Sequence, residues 1–100
     1  MVDTDLALDI AQDILETAGC HVRPAIPADG VDNWENAIVA EDARDTVHVW
    51  VNGDFLQATV TRYESGEAPV LLDAFSVHAD DAEKLGTLMF EKWTPEGGLS

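Results

Sequence analysis

The 100-residue chain is poor in cysteine, in basic side chains and in long apolar runs. Its single cysteine, Cys20, excludes an intramolecular disulfide and therefore a disulfide-stapled secreted scaffold. Lysine and arginine together number 5, too few for the basic clusters that contact phosphates. Direct binding to nucleic acid or to anionic membranes is therefore disfavoured. No apolar run approaches the ~20 residues of a membrane-spanning helix.

The first ten residues lack a basic stretch followed by an apolar run. We therefore expect no signal peptide and a cytoplasmic protein. A hydrophobic content of 46% in 100 residues is typical of one small folded domain spanning 1–100. Within it we expect an ordered core over about 4–93. Pro95 and Gly97-Gly98 predict a flexible tail over 94–100.

What the chain does contain is negative charge, with 20 acidic residues and a net charge of −15. The acids are spread along the chain, aspartate outnumbers glutamate, and lysine occurs only at Lys84 and Lys92. This composition resembles that of proteins from salt-accumulating halophilic archaea, a resemblance of composition and not of family. At ~1 M salt the Debye length falls to about 3 Å, which screens the self-repulsion of such a surface. Mimicry of nucleic acid by an acidic protein, and an acidic interaction or cation-binding surface, are the alternatives.

Apolar residues at helical spacing predict a first helix over Thr4–Ala18, closed by Gly19. A short strand follows over Cys20–Arg23 and ends at Pro24. The segment 33–41 is open to two interpretations. Asp32-x-x-Glu35 would cap a helix, whereas Asn36–Ala40 would be a strand entering a hairpin through Glu41–Asp45, which we favour.

The strongest local signal is Thr46–Tyr63, where two alternating runs flank Asn52-Gly53, a pair typical of a two-residue hairpin turn. That turn places Trp50 opposite Phe55. Alternation then divides the hairpin into a core face and a mixed polar and aromatic face. The core face carries Val47, Val49, Val51, Leu56, Ala58 and Val60.

A further strand is predicted over Val70–Val77, after a turn at Ser65-Gly66. In this register Leu71, Phe75 and Val77 join the core face, and Asp73 lies there opposite Ala58. Asp73 is thus a candidate buried acid, although we favour a bulge that turns it outward. Asp80-x-x-Glu83 then predicts a capped second helix running to about Trp93.

Together these elements predict an α+β fold. An N-terminal helix, an antiparallel meander of three or four strands and a C-terminal helix would form a two-layer sandwich, with both helices on one sheet face.

No metal-binding spacing is present, and the adjacent Cys20 and His21 would point to opposite faces of a strand. Cys20 is interpreted as a small apolar core residue rather than a nucleophile. We therefore assign no catalytic, cofactor-binding or metal-binding residue and expect no cofactor. The candidate interaction patch is the mixed face of the hairpin, comprising His48, Trp50, Phe55, Gln57 and Thr59.

Folding alone does not explain two large aromatic side chains on that face, and exposed aromatic patches typically mark interfaces. The leading hypothesis is a non-enzymatic protein-interaction module, a homodimer formed through this face or through an edge strand, or a module binding another cytosolic protein. The alternative is a small-ligand binder or small enzyme that uses His48. The third hypothesis is an acidic mimic of nucleic acid.

Overall fold

A computed structural model describes residues 4–29, 34–42, 45–63 and 66–93. Two helices and five strands make up these ranges: α1 Thr4–Thr17, β1 His21–Pro24, β2 Ala37–Glu41, β3 Asp45–Asn52, β4 Phe55–Arg62, β5 Val70–His78 and α2 Glu83–Lys92. Short 3₁₀ turns lie at Pro27–Asp29, Trp34–Asn36 and Ala79–Asp81. The predicted tail 94–100, and residues 32 and 65 of the predicted cap and turn, lie outside the described residues.

The five strands form one antiparallel sheet in the order β1-β2-β3-β4-β5. This confirms the predicted α+β meander and extends it to five strands. Segment 33–41, which the sequence allowed to be either a helix or a strand, forms in its described residues a single 3₁₀ turn followed by β2. None of the helices in the described ranges is both long enough and apolar enough to cross a lipid bilayer.

The core lies between one face of the sheet, here called the inner face, and the two helices. All but one of the predicted core-face residues of the hairpin are buried there, Val51 being partly exposed. Helix α1 contributes Ala7, Ala11 and Leu15, and α2 contributes Leu85 and Met89. Both helices therefore pack on the same sheet face, as predicted.

Helix α1 ends as its sequence predicts, in a left-handed glycine. Gly19 has a φ of 94°. Its N–H donates to the Glu16 carbonyl at 3.0 Å, and the Cys20 N–H donates to the Leu15 carbonyl at 3.0 Å. This pair of bonds is a Schellman motif, which satisfies two carbonyls at the helix end and directs the chain back into β1.

The predicted pairing of the central hairpin is wrong, because the two-residue turn lies one residue later in the sequence than predicted. The ladder pairs Asn52 with Phe55 and Trp50 with Gln57, so the turn residues are Gly53 and Asp54. Gly53 has a φ of 61°, whereas no non-glycine residue in the described ranges has a positive φ. A turn with positive φ only at its first central residue is typical of type II′, which places glycine there. Because each pairing moved by two, the face of every side chain is unchanged.

The predicted register of β5 is also corrected. Phe75 and Val77 are on the inner face as predicted, but Asp73 lies opposite Val60 rather than Ala58. A bulge between the Val60 and Thr61 levels adds one residue to β5. The bulge turns Leu71 to the opposite face and leaves Asp73 on the inner face, the reverse of the expected effect.

Helix α2 begins later than predicted, at Glu83, and Ala82 precedes it without a side-chain cap. The 3₁₀ turn before it is capped instead by His78, whose Nδ1 accepts from the Asp80 N–H at 3.2 Å. Within α2, Gly86 faces α1: an added Cβ would lie 2.9 Å from Ile14 Cγ2. Glycine at this position therefore sets the close approach of the two helices.

Asp45, the first residue of β3, is the one buried charged side chain among the described residues, at 2% exposure. Arg62, directly opposite on β4, donates to it through Nε at 2.8 Å and Nη2 at 3.1 Å. The Trp93 indole N–H donates to the same carboxylate at 2.6 Å. One carboxylate thus joins the open end of the hairpin to the residue that follows α2.

We expect Asp45→Ala to lower the free energy of unfolding by about 3 kcal/mol, because it leaves a partly buried guanidinium and an indole N–H without their acceptor. Denaturant unfolding in molar KCl would measure the change. Asp13→Ala, an exposed position on α1, is the matched control. Equal effects of the two substitutions would contradict a structural role for the buried carboxylate.

Candidate interaction surface

The sheet face opposite the helices, here called the outer face, is poor in acidic side chains. Register and alternation place all three histidines on it, His21 on β1, His48 on β3 and His78 on β5. Of the strand residues in the described ranges, one carboxylate lies on this face, Glu41, whose Oε1 is 3.5 Å from Arg23 Nη2. A chain of net charge −15 thus has one face with almost no acidic side chains.

The predicted patch residues all lie on the outer face, but the structure separates its aromatic members. Trp50 is half-buried and packs against Ala25, Ala37 and Val39, a small second cluster on this face. Phe55 lies nearer the hairpin turn and is 49% exposed. Trp50 therefore has a packing role within the chain, and Phe55 is the aromatic group of the patch that remains open.

Among the polar members of the patch, Gln57 is held by two hydrogen bonds. Its Oε1 accepts from Trp50 Nε1 at 3.1 Å and from Asn52 Nδ2 at 3.2 Å. His48 is half-buried beside Thr59, its cross-strand neighbour. The two hydrogen bonds orient the Gln57 amide group on the sheet surface, which is chemistry suited to hydrogen bonding with a partner.

Phe55 contacts His78 at the same end of the sheet, with ring centroids 5.6 Å apart and an edge-on geometry. His78 and His48 are separated by four levels of β4, because they lie beside Phe55 and Thr59. Within the described residues no three His, Cys, Asp or Glu side chains come together in a group that could hold a metal ion.

Asp73 lies on the inner face at the margin of the sheet, with its side chain 30% exposed. Its Oδ1 accepts from the Ala74 N–H at 2.8 Å, and Lys92 of α2 lies 3.8 Å from Oδ2. The position on an edge strand allows this carboxylate to reach solvent and a cation. The sequence indicated Asp73 as the candidate buried acid. The fully buried acid of the described residues is Asp45, which was predicted to lie in a turn.

The two edges of the sheet differ sharply. The β1 edge is four residues long and contains Arg23 and Pro24, both of which disfavour pairing with another strand. The β5 edge is nine residues long. Its apolar start, meaning Val70, Leu71 and Leu72, is 54%, 60% and 38% exposed. Sequence reasoning missed this feature because it assigned Leu71 to the core.

A cleft of about 400 Å³ lies at the other end of β5, where the strand meets α2. Val77 and Leu88 are its apolar lining residues, and the others are His78, Asp81, Lys84 and Thr87. Lys84 Nζ lies 3.7 Å from Asp81 Oδ1, so the charged part of the lining is internally paired. The cleft is thus an apolar recess with a neutralised border.

No family model matches this chain, and no match was found among the curated proteins or the solved structures.

Cys20 directly follows the glycine that ends α1 and is buried in the main hydrophobic core cluster. Burial, with a smaller contribution from the negative charge of Asp42, raises the pKa of its thiol from 9.0 to about 11. The thiolate is the reactive form of cysteine. The side chain therefore serves packing rather than nucleophilic chemistry.

We expect Cys20 to react with a thiol reagent at pH 8 far more slowly in the folded protein than in the unfolded chain. Thiolate formation in the unfolded state also makes stability fall as the pH rises through about 9 to 11. Labelling rates and unfolding midpoints measure both effects. Thr17→Cys in a Cys20→Ala background supplies an exposed control thiol; Cys20 labelling as fast as this control would contradict the assignment.

Proposed function

We propose that this protein is a non-enzymatic interaction module of a high-salt cytosol and that it associates with a second copy of itself. The observation that carries the proposal is the distribution of exposed apolar side chains. Five of the nine large exposed hydrophobics in the described ranges lie on β4, β5 or immediately after β4. They are Phe55, Tyr63, Val70, Leu71 and Leu72. Four of the five, all but Phe55, lie at the end of β4 and the start of β5, and exposed apolar residues gathered in this way are typical of an interface.

The open edge of β5 supports the same proposal. An exposed, apolar edge strand pairs with other strands unless it is short, charged, interrupted by proline or covered. In the described structure the β1 edge has such protection, whereas the β5 edge has one carboxylate, Asp73, and one bulge. Association through this margin would bury apolar surface that is otherwise in contact with water.

The charge distribution supports salt adaptation and association together. Exposed acids line α1 at Asp5, Asp9, Asp13 and Glu16, so the helix layer repels any other acidic surface. The β5 margin and the outer face lack such rows among the described residues. A second copy of net charge −15 would therefore approach at lowest electrostatic cost along the sheet, and more readily when salt screens the helices.

A small-ligand role for His48 is the second candidate, favoured by the two hydrogen bonds that orient Gln57 beside it. His48 chemical shifts that move on titration with a panel of metabolites would support it. Shifts indifferent to the whole panel would remove it.

In molar KCl we expect light scattering to give the mass of a dimer. Leu71→Thr should raise the dimer dissociation constant about tenfold for each lost leucine contact, and about a hundredfold in all, because both copies lose one. Ile26→Thr removes a side chain of similar exposure beyond β1 and is the matched control. A monomeric mass at all concentrations would contradict the proposal.

We also expect the unfolding temperature to rise when KCl increases from ~0.1 M to ~1 M, because the Debye length falls from about 10 Å to about 3 Å. The double variant Asp9→Asn, Asp13→Asn removes part of the acidic row on α1 and should show a smaller rise. Thermal unfolding followed by circular dichroism measures both. A salt response absent from the wild type would contradict salt adaptation.

A further inference from the structure

Strand β5 carries two apolar features at opposite ends of one open edge. Its start exposes Val70, Leu71 and Leu72. The cleft lined by Val77, Thr87 and Leu88 lies at its other end. Neither feature is covered by another described part of the chain.

The cleft opens toward the unpaired side of β5. Gly86 of α2 faces Ile14 of α1. Successive helical residues are rotated by about 100°, so Lys84 and Leu88 lie about half a turn away from Gly86. Both line the cleft, which therefore faces away from α1. Because α1 packs over β1 to β4 and α2 over β5, that direction is toward the open edge.

We propose that two copies of the protein pair β5 with β5 in antiparallel orientation, so that Val70, the inner-face residue of the apolar start, covers the cleft of the other copy. This inference rests on the proposed self-association and specifies its geometry. Antiparallel pairing about a two-fold axis places the start of one strand beside the end of the other. Val70 and the cleft therefore meet twice in one dimer, which a partner of different sequence would not reproduce.

The register of the pairing follows from symmetry and charge. A two-fold axis perpendicular to the sheet passes through a pair of identical residues, because paired residues share a face. Ala74 is the midpoint of β5 and is exposed, and because the bulge leaves Leu72 out of the ladder, an axis there sets Val70 opposite Val77 of the other copy, inner face to inner face. It also sets Asp73 opposite Phe75 of the other copy. An axis at Asp73 would instead set two carboxylates side by side, which is unfavourable.

The backbone on either side of this axis suits such pairing. From Asp73 to His78 β5 runs in continuous register with β4, and the bulge is confined to the Leu72 level. The strand carries one carboxylate among nine residues in a chain with 20 acids. Two strongly acidic molecules can therefore bring these strands together with little direct repulsion.

The deciding experiment is disulfide trapping of Ala74→Cys in a Cys20→Ala background, in molar KCl with a mild oxidant. Directly opposite Cβ atoms in an antiparallel pair lie about 4.5–5.5 Å apart, close to the reach of a disulfide. Most of the protein should become covalent dimer within a time at which Phe55→Cys, an exposed position on the outer face, remains uncrosslinked.

The outcomes separate this inference from the function on which it rests. A dimer that crosslinks through Phe55→Cys and not through Ala74→Cys would overturn β5 pairing while leaving self-association intact. A monomeric mass by light scattering, with neither variant crosslinked, would overturn both. A monomer that crosslinks neither variant but captures an extended peptide along β5 would assign the edge to another protein and overturn the symmetric pairing.

A double-mutant cycle tests the contact between strand start and cleft. Val70→Ser and Leu88→Ser should each raise the dimer dissociation constant at least about tenfold, because the contact is made twice, and the double variant should raise it by clearly less than the product. Effects that multiply fully would overturn the contact. Both side chains are exposed, at 54% and 41%, so the folded monomer should tolerate the substitutions.

Discussion

The buried carboxylate of Asp45 is the constraint on which the rest of the architecture depends. It accepts from Arg62 on the neighbouring strand and from the Trp93 indole beyond α2. A hairpin stabilised only by its turn would fray at its open end, and a ten-residue C-terminal helix is marginal by itself. The shared carboxylate holds both in one place. Among the described residues this is the one buried carboxylate, and it lies where two donors from different elements converge.

The sequence predicted the structural features that depend on the periodicity of apolar residues. Helix α1, its glycine cap and the core face of the hairpin follow from spacings that tolerate small errors, since a shift of two residues in pairing keeps every side chain on its face. The sequence did not predict what depends on turn position. With the turn placed at Asn52-Gly53 instead of Gly53-Asp54, the predicted register did not set Arg62 opposite Asp45. The ion pair between these two residues was therefore not predicted. Alternation itself contained the signal, because Asp45 continues the inward series of β3 and Arg62 that of β4.

The candidate site shows the same division between what local patterns reveal and what they do not. The outer-face position of His48, Trp50, Phe55, Gln57 and Thr59 followed from alternation. The packing of Trp50 on Ala25, Ala37 and Val39 did not, because it requires a segment distant in sequence to lie over β2 and β3. The exposure of Leu71 depended on a one-residue bulge, which no propensity scale indicates at that position.

Pro24 and the shortness of β1 have a consequence beyond the monomer. A sheet with two pairable edges can add molecules at both sides and grow into an open filament. Here one edge is blunted by proline and arginine. A molecule with one sheet edge available for pairing can bind one partner strand, so strand pairing stops as soon as that edge is occupied.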